Sequence, residues 1–349
     1  MADHSDAILT RMMALHPKVI DLTLDRVWRL LDRLENPQER LPSVLHIAGT
    51  NGKGSTQAMI RAGLEAAENR VHAYTSPHLT RFHERIRLAG TLISETELSQ
   101  RLEQCYQTNS ADPITYFEIT TCAAIKAMAE CPADFTLLEV GLGGRLDATN
   151  VVAKPKLCII TSISIDHQQF LGNTLPEIAS EKAGIIKSRV PVIVGPQHEA
   201  ALEVLKAYAL RLHAPVHIYG QHWHVSEKRG RLIFQDEYGL LDLPLPNLPG
   251  AHQIQNAGTA LAALRFLEVT KSSCEVAVTQ AQWPARLQRL HEGPLSVIAP
   301  RAELWLDGGH NPAAGHALAQ FLSSLPKRRT YLICGMLKTK DIRGYLAPL

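Results

Sequence analysis

The 349-residue sequence lacks several features that mark particular classes of protein. Its net charge is only +2 and no basic run is longer than Lys327-Arg328-Arg329, so no nucleic-acid-binding surface is indicated. Its six cysteines form no CxxC pair and mostly lie in apolar stretches, which favours free thiols in a reducing cytoplasm. No apolar run approaches the ~18–20 residues of a membrane span, and no signal-peptide pattern opens the sequence. We therefore expect a cytoplasmic protein that binds neither nucleic acid nor membrane.

The most informative stretch is residues 44–56, where an apolar run leads into a glycine-rich loop with one lysine, followed by hydroxyl residues. Glycines allow the backbone N–H groups to approach an anion, and the next helix adds partial positive charge at its N-terminus. Lys53 would then reach the β- and γ-phosphates of a nucleotide, and Ser55 or Thr56 would face Mg²⁺. The spacing, Gly49-x-x-Gly52-Lys53-Gly54-Ser55, differs from the common P-loop. The alternative is an ordinary strand-to-helix turn with a solvated lysine.

Strands and helices alternate through much of the chain, which predicts a parallel, doubly wound α/β sheet. After a first strand that leads into the loop, strands are predicted at residues 71–75, 134–140, 157–163, 190–195 and 216–219. Two helices are expected over residues 3–35, interrupted at Pro17, and a small antiparallel meander over 221–243. Beyond Trp283 we expect strands at 304–307 and 331–334, with helices beginning at Pro312 and Lys340.

Polar side chains follow three of the predicted strands. Ligands bind at the carboxyl ends of strands in open α/β sheets, and Ser76, Glu139 and His167 all lie at such ends. A buried carboxylate is costly unless it is paired or metal-bound, so Glu139 is a candidate Mg²⁺ ligand, with a buried salt bridge as the alternative. His167 alone would be read as a structural histidine nearly as readily as a ligand. Residues 80–92 carry three arginines and a histidine, which indicates either a solvated loop or a mobile substrate-covering loop.

Together these stretches resemble the folylpolyglutamate synthase and dihydrofolate synthase family, a branch of the Mur ligases. The residues Gly49-Thr-Asn-Gly-Lys-Gly-Ser55 are similar to its unusual P-loop, and Thr75-Ser-Pro-His-Leu79 to a segment that gives a serine to Mg²⁺. The stretch from Glu139 to Asn150 resembles its metal-glutamate motif. In the segment from Ser180 to Lys187, Lys182 matches a lysine that is often carbamylated, although alone it would be read as a solvated helix residue.

The resemblance implies a role for particular residues. The catalytic residues would be Lys53, His167, Lys182, Arg286 and His310, and the metal ligands Ser55, Ser76, Glu139, His167 and Lys182. Nucleotide contacts would come from Gly49, Thr50, Asn51, Gly52, Lys53, Gly54, Ser55, Thr56, Asn256, Arg286 and Asp307. Substrate contacts would come from Thr115, Phe117, Arg145, Asp147, Ala148 and His310. The chain departs from the family at Ala285, which stands where the family has glycine.

The resemblance also implies an activity, namely ATP-dependent joining of L-glutamate to 7,8-dihydropteroate, to the glutamate tail of reduced folates, or to both, through an acyl phosphate. ATP and Mg²⁺, with two ions expected, would be bound by a monomer whose partners are small molecules. Residues 1–282 would form a Mur-ligase-like domain for ATP and pterin, and residues 283–349 a smaller, incomplete Rossmann-like domain for glutamate. The alternatives are a peptidoglycan-type Mur ligase, and a nucleotide-binding protein without turnover because the second domain is incomplete.

Overall fold

A computed structural model of the chain describes residues 4–16 and 22–349, so the predicted interruption at Pro17 lies outside the described residues. In chain order the strands are β1 (Ser43–Ala48), β2 (Val71–Tyr74), β3 (Ile86–Leu88), β4 (Thr91–Leu92), β5 (Phe135–Glu139), β6 (Leu157–Ile160), β7 (Val192–Val194), β8 (Val216–Ile218), β9 (His224–Lys228), β10 (Arg231–Asp236), β11 (Gly239–Pro244), β12 (Gln288–Leu290) and β13 (Leu304–Leu306).

The helices alternate with these strands. They are α1 (His4–Met13), α2 (Asp25–Arg33), α3 (Lys53–Ala66), α4 (Glu95–Asn109), α5 (Tyr116–Glu130), α6 (Gln168–Leu171), α7 (Leu175–Ala183), α8 (Glu199–Arg211), α9 (His252–Phe266), α10 (Lys271–Thr279), α11 (Pro294–Ile298), α12 (Pro312–Ser324) and α13 (Ile342–Leu346), with 3-10 helices at Pro37–Arg40 and Phe82–Arg85. None of these helices, which cover only the described part of the chain, is both long and apolar enough to cross a bilayer.

One large sheet organises the described residues. Its strand order is β4-β3-β2-β5-β1-β6-β7-β8, and β1 runs parallel to both of its neighbours, β5 and β6. In the register of these strands Ile47 lies opposite Glu139, and Ala48 opposite Ile160. The predicted α/β architecture with a mostly parallel sheet is confirmed. The register places the glycine-rich loop after β1 directly beside the end of β5.

Two layers of helices cover the sheet. On one face α3 packs against α9 and α10, so closely that a Cβ on Gly63 would lie 2.6 Å from Leu264 Cδ1. On the other face α1, α2, α4 and α5 bury a second apolar cluster. The predicted meander is present as the antiparallel strands β9, β10 and β11, which pack onto the α9 side. Because both faces are covered, ligands can approach the central strands only at their ends.

Two predictions about local structure are wrong. Residues 80–92 are not simply a polar loop: they contain a 3-10 helix and the edge strands β3 and β4, because Ile86 and Leu88 alternate with Arg87 and bury their side chains. Residues 331–334 form no strand, and their side chains are exposed. The apolar residues of this run favour a strand, but residues with high β-propensity form a strand only where a partner strand provides packing. The last helix begins at Ile342. Asp341 caps it, because its side chain accepts a hydrogen bond from the Gly344 N–H.

Candidate active site

The glycine-rich loop has the backbone geometry of a phosphate cradle. Gly49 has φ of +151° and Gly52, which precedes α3, has φ of +87°. A Cβ on Gly49 would lie 1.9 Å from the hydroxyl oxygen of Thr161, and one on Gly52 would lie 2.2 Å from Asn256 Oδ1. These positions therefore require glycine, both for backbone conformation and for space. The N-terminus of α3, a helix of 14 residues, opens into the loop and favours an anion there.

Two lysines converge on one carbonyl of this loop. The Nζ of Lys53 lies 3.1 Å from the Gly49 carbonyl oxygen and the Nζ of Lys182 lies 3.0 Å from the same atom. Burial, together with the nearby charge of Lys53, lowers the pKa of Lys182 to about 7. Burial also lowers the pKa of Lys53, against the opposing charge of Glu139. A polyanion such as the phosphate chain of a nucleotide would relieve the repulsion between the two lysines.

Glu139 ends β5 beside the loop, and only 4% of its surface is exposed. Its carboxylate accepts a long hydrogen bond of 3.4 Å from the Ser76 N–H. Burial raises the pKa of Glu139 to about 7, although the charge of Lys53 opposes this shift. A buried carboxylate with such weak compensation fits a cation site. With the hydroxyls of Ser55 and Ser76, it supplies the oxygen ligands that Mg²⁺ prefers.

The predicted catalytic and metal-binding side chains line one cavity of about 390 Å³. The predicted nucleotide contacts line it as well, except Thr56, which is fully buried inside α3. At the rear of the cavity Gln253 donates from Nε2 to the Ser55 hydroxyl at 3.3 Å, and Asn256 donates from Nδ2 to the side-chain oxygen of Gln253 at 2.9 Å. The structure thus brings together groups that lie far apart in the sequence.

The C-terminal part of the chain contributes part of the cavity lining. Arg286 lies there with its guanidinium 2.8 Å from the Ala285 carbonyl oxygen. Asp307 accepts hydrogen bonds from the N–H groups of Leu287 at 2.9 Å and Gly309 at 2.7 Å, so its carboxylate fixes the backbone around it. The side chain of His310 is half exposed to solvent.

Most of the predicted substrate contacts do not reach this cavity. Only His310 lines it, whereas the other members lie elsewhere: Thr115, Phe117, Arg145, Asp147 and Ala148. Thr115 caps α5 through a hydrogen bond from the Glu118 N–H, and Arg145 forms a surface ion pair with Glu181. Phe117 packs directly against Gly141, in the loop that follows β5, where a Cβ would lie 2.4 Å from the ring. The roles of these residues in pterin binding stay predictions.

Asp147 is buried in a hydrogen-bond network that fixes the loop after β5. Its Oδ2 accepts from the N–H groups of Gly141 and Leu142, and its Oδ1 from the N–H and hydroxyl of Thr149. The Thr149 hydroxyl in turn lies 2.8 Å from His46 Nε2. Because the threonine proton is directed at Asp147, the histidine must donate from Nε2. Burial lowers the pKa of His46 to about 3, so its ring is neutral.

Three residues with no role indicated by the sequence meet at Asp166, which lines the cavity: Asp166 itself, Asn311 and Lys340. Lys340 Nζ lies 2.6 Å from Asp166 Oδ1 and 3.2 Å from His167 Nε2. Burial lowers the pKa of His167 to about 4, so its neutral ring accepts from Lys340. A metal ion bound through His167 Nε2 would have to displace this contact. The sequence carried only a weak signal for these roles. Asn311 follows the predicted contacts Asp307 and His310, and Lys340 was considered only as the start of the last helix.

No three His, Cys, Asp or Glu side chains among the described residues come together as a metal cluster. The predicted metal set instead combines Glu139 and His167 with two serines and with Lys182, which as an ammonium group cannot bind a cation. A carbamate on Lys182 would convert it into an anionic oxygen ligand. The residues therefore fit one Mg²⁺ near Glu139 directly, and fit a second near His167 only after the lysine is modified.

Comparisons with known proteins agree with this geometry. Residues 47–264 match the family model described as the Mur ligase middle domain. The dihydrofolate synthase/folylpolyglutamate synthase of Escherichia coli is 37% identical over 345 residues, which cover 98% of this chain and 78% of that protein. The enzyme of Bacillus subtilis with the same description is 34% identical and is covered over 78% of its length, with 93% of this chain covered. The solved structure of E. coli FolC with DHPP and ADP superposes with a TM-score of 0.89 at 37% identity, covering 99% of this chain and 81% of that one.

Proposed function

Because the chain belongs to the dihydrofolate synthase/folylpolyglutamate synthase family of Mur ligases, we propose that it joins L-glutamate to 7,8-dihydropteroate, to the glutamate tail of reduced folates, or to both. Members of this family are ATP-dependent glutamate ligases. The peptidoglycan-type Mur ligase and the nucleotide-binding protein without turnover are not favoured by the comparisons. The single observation that supports the proposal best is the convergence of Lys53, Lys182, Arg286 and Glu139 on one cavity above the glycine-rich loop.

The reaction needs a leaving group, because the oxygen of a carboxylate is a poor one at neutral pH. The substrate carboxylate attacks the γ-phosphorus of ATP, which forms an acyl phosphate and releases ADP. The amine of glutamate then attacks the acyl carbon and expels inorganic phosphate, leaving the new amide. In such phosphoryl transfer the protein mainly positions the groups and neutralises charge.

The residues of the cavity are suited to that task. Lys53, Arg286 and the N-terminus of α3 would hold the phosphates and offset the charge that develops as the γ-phosphoryl group moves. Glu139, Ser55 and Ser76 would hold Mg²⁺, which when bound neutralises phosphate charge and orients the phosphate chain. The side chain of Asn256, packed against Gly52, would lie near the adenine.

We propose that Lys182 is carbamylated and, with His167, holds a second Mg²⁺. Carbamate formation needs a neutral amine to attack CO₂, and Lys182 is held beside the ammonium group of Lys53 at the Gly49 carbonyl, where a second positive charge is disfavoured. A negatively charged carbamate on Lys182 would be attracted to the ammonium group of Lys53, whereas an ammonium group there is repelled. The amine is buried, with 4% of the residue exposed, so the modified group would be shielded from bulk water.

The division of labour between the two parts of the chain also stays a proposal. Residues 1–282 would bind ATP and the pterin, whereas residues 283–349 would contribute Arg286, Asp307 and His310 from the glutamate-binding side. The substrate contacts at Thr115, Phe117, Arg145, Asp147 and Ala148 belong to the first part. A cytoplasmic setting and a monomeric state remain predictions.

Product analysis tests the proposed reaction. The purified chain is incubated with ATP, Mg²⁺ and isotopically labelled L-glutamate, with either 7,8-dihydropteroate or tetrahydrofolate as acceptor, and products are identified by mass spectrometry. We expect a glutamylated product and one ADP per amide bond. Lys53→Ala should lower turnover by ~10²–10³, the usual effect of removing one electrostatic stabiliser of the transition state. Lys154→Ala, at an exposed position, is the matched control. ATP hydrolysis without glutamylation of either acceptor would contradict the proposal.

A further inference from the structure

A buried ion pair connects the phosphate-binding part of the chain to the C-terminal part. Lys340 Nζ lies 2.6 Å from Asp166 Oδ1, and the two side chains are only 10% and 9% exposed. Asp166 follows β6 beside the cavity, whereas Lys340 lies 174 positions later in the chain. His310 also approaches this carboxylate, with its Nε2 3.8 Å from Asp166 Oδ2. One carboxylate thus faces two basic side chains of the C-terminal part.

Asn311 extends this contact to the phosphate loop itself. Its Nδ2 donates to Asn51 Oδ1 at 3.0 Å and to Asp166 Oδ2 at 3.2 Å, while Asn51 Nδ2 donates back to Asn311 Oδ1 at 3.3 Å. The same Oδ1 caps α12 by accepting from the Ala314 N–H at 3.0 Å. Asn311 is 97% buried by these neighbours, since only 3% of its surface is exposed. The start of α12 is therefore tied by one side chain to the loop that would hold the phosphates.

The contacts of Asn311 and Lys340 also bear on the placement of two cavity-lining side chains, Asp307 and His310. Asp307 and His310, which line the cavity, lie four positions and one position before Asn311. The orientation of the 307–311 segment should therefore depend on where Asn311 and Lys340 are held. A buried ion pair contributes little net stability when intact, but the loss of one partner leaves an uncompensated buried charge and is strongly unfavourable. Such a contact therefore specifies one relative arrangement of the two parts more than it stabilises either part.

We propose that Asp166, Asn311 and Lys340 are positioning residues that form an interdomain latch, which holds the 307–311 segment closed over the phosphate loop. The latch uses the Lys340–Asp166 ion pair and not the Lys340–His167 contact that a metal ion on His167 would displace. The latch does not touch the reacting atoms: it acts through the placement of Asp307 and His310. Its role in closure follows from the contacts alone, and only its effect on glutamate transfer rests on the proposed function.

The test uses the full chain and three variants with a matched control. Lys340→Met removes the charge while keeping an unbranched side chain, and Lys338→Met makes the same change at an exposed position two residues earlier. Asn311→Asp removes the donor to Asn51 and Asp166 and adds a negative charge beside Asp166, but keeps a good helix cap on α12. Asp166→Asn completes a double-mutant cycle with Lys340→Met.

Two readouts are measured for each variant. One is amide hydrogen exchange in residues 307–324 with ATP and Mg²⁺ present, and the other is kcat and KM for glutamate. We expect Lys340→Met and Asn311→Asp to speed exchange in this segment and to lower kcat/KM for glutamate at least about fivefold, in the usual range of couplings between sites. Lys338→Met should change neither. The double variant should be no worse than the poorer single variant, because both remove the same contact.

Different results would contradict the latch and the proposed reaction. Exchange in Lys340→Met equal to that in Lys338→Met would overturn the latch, as would single-variant effects that simply multiply in the double variant. If the unmodified chain glutamylates no folate, the proposed function fails, while the exchange measurements still decide whether the latch exists. Faster exchange with unchanged glutamate kinetics in an active enzyme would overturn the positioning role.

Discussion

Lys53 and Lys182 direct their ammonium groups at the same atom, the carbonyl oxygen of Gly49, at distances of 3.1 and 3.0 Å. Burial lowers the pKa of both lysines, and the nearby charge of Lys53 lowers the pKa of Lys182 further. The phosphate loop is therefore built around a repulsion that a polyanion or a carbamate on Lys182 can relieve. This arrangement makes the protonation of Lys182 a measurable property of the folded state.

Lys182 should make stability depend on pH in a predictable direction. Its pKa is lowered from 10.5 to about 7 in the folded state, so between these values the unfolded chain binds a proton that the folded chain does not. In CO₂-free buffer, the unfolding free energy of the unmodified chain relative to Lys182→Met should therefore rise from about pH 7 upward, by at most ~1.4 kcal/mol per pH unit. Below about pH 7 the difference should be constant.

Urea unfolding at several pH values measures this difference, with Lys154→Met as the control at an exposed position. A difference between the unmodified chain and Lys182→Met that stays flat across the alkaline range would contradict the lowered pKa. With ¹³C-labelled bicarbonate, a carbamate signal present in the unmodified chain and missing in Lys182→Met would support carbamylation.

Glu139 should make metal binding depend on pH, because its carboxylate binds a cation only when it is deprotonated. Burial raises the pKa of this carboxylate to about 7, and a proton on it competes directly with a cation. The affinity for Mn²⁺ in the presence of ADP should therefore fall as pH decreases below about 7. Glu139→Gln should weaken binding about tenfold or more and make its pH dependence shallower near pH 7, because the carboxylate that titrates there is removed. Calorimetric titration measures both effects, and Glu237→Gln in the exposed part of the meander should match the unmodified chain.

The parts of the fold that could be predicted are those with local signals. The alternation of apolar strands with helices predicted the parallel sheet, and the rule that ligands bind at strand ends located Ser76, Glu139 and His167. The edge strands β3 and β4 were missed because the composition of residues 80–92 is polar, although Ile86 and Leu88 carry the alternation of a strand. Local composition outweighed a short periodic signal there.

The contacts that could not be predicted depend on how distant segments pack. Asn311 meets Asn51 across 260 positions, and Lys340 meets Asp166 across 174. Nothing in the neighbourhood of Lys340 in the sequence distinguishes it from Lys338, which is exposed. Only the packing of the C-terminal part decides which lysine becomes buried in an ion pair.

Replacing Ala285 with glycine should stabilise the protein. The φ of Ala285 is +55°, a left-handed conformation in which an alanine Cβ crowds the backbone, and its side chain is buried. Replacing it with glycine removes a strain of roughly 1–2 kcal/mol and adds some flexibility to the unfolded chain. Ala285→Gly should therefore raise the unfolding free energy by about 0.5–1 kcal/mol in urea titrations. Ala277→Gly, in the interior of α10, should lower it, and a loss of stability in both variants would refute the strain.

The packing around Gly54 accounts for the glycine that directly follows Lys53 in this phosphate loop. Gly54 is the second residue of α3, and a Cβ there would lie 2.3 Å from Cζ2 of the Trp283 indole. Alanine is the better helix former, so any loss on substitution must come from this contact and not from the helix itself. Because the indole or the loop would have to move, Gly54→Ala should weaken ATP binding about tenfold, which corresponds to an overpacking cost within the usual ~1–3 kcal/mol.

Calorimetric titration with an ATP analogue that resists hydrolysis gives the affinity of each variant. Gly335→Ala is the control, since a Cβ at Gly335 meets no atom within 4 Å. The smaller ring in Trp283→Phe should restore part of the affinity when it is combined with Gly54→Ala, because space returns beside the new methyl group. If Gly54→Ala binds the nucleotide as tightly as Gly335→Ala does, the indole can move freely and does not fix the conformation of the loop. If affinity falls but Trp283→Phe restores none of it, the loss comes from the backbone of the loop and not from its contact with the indole.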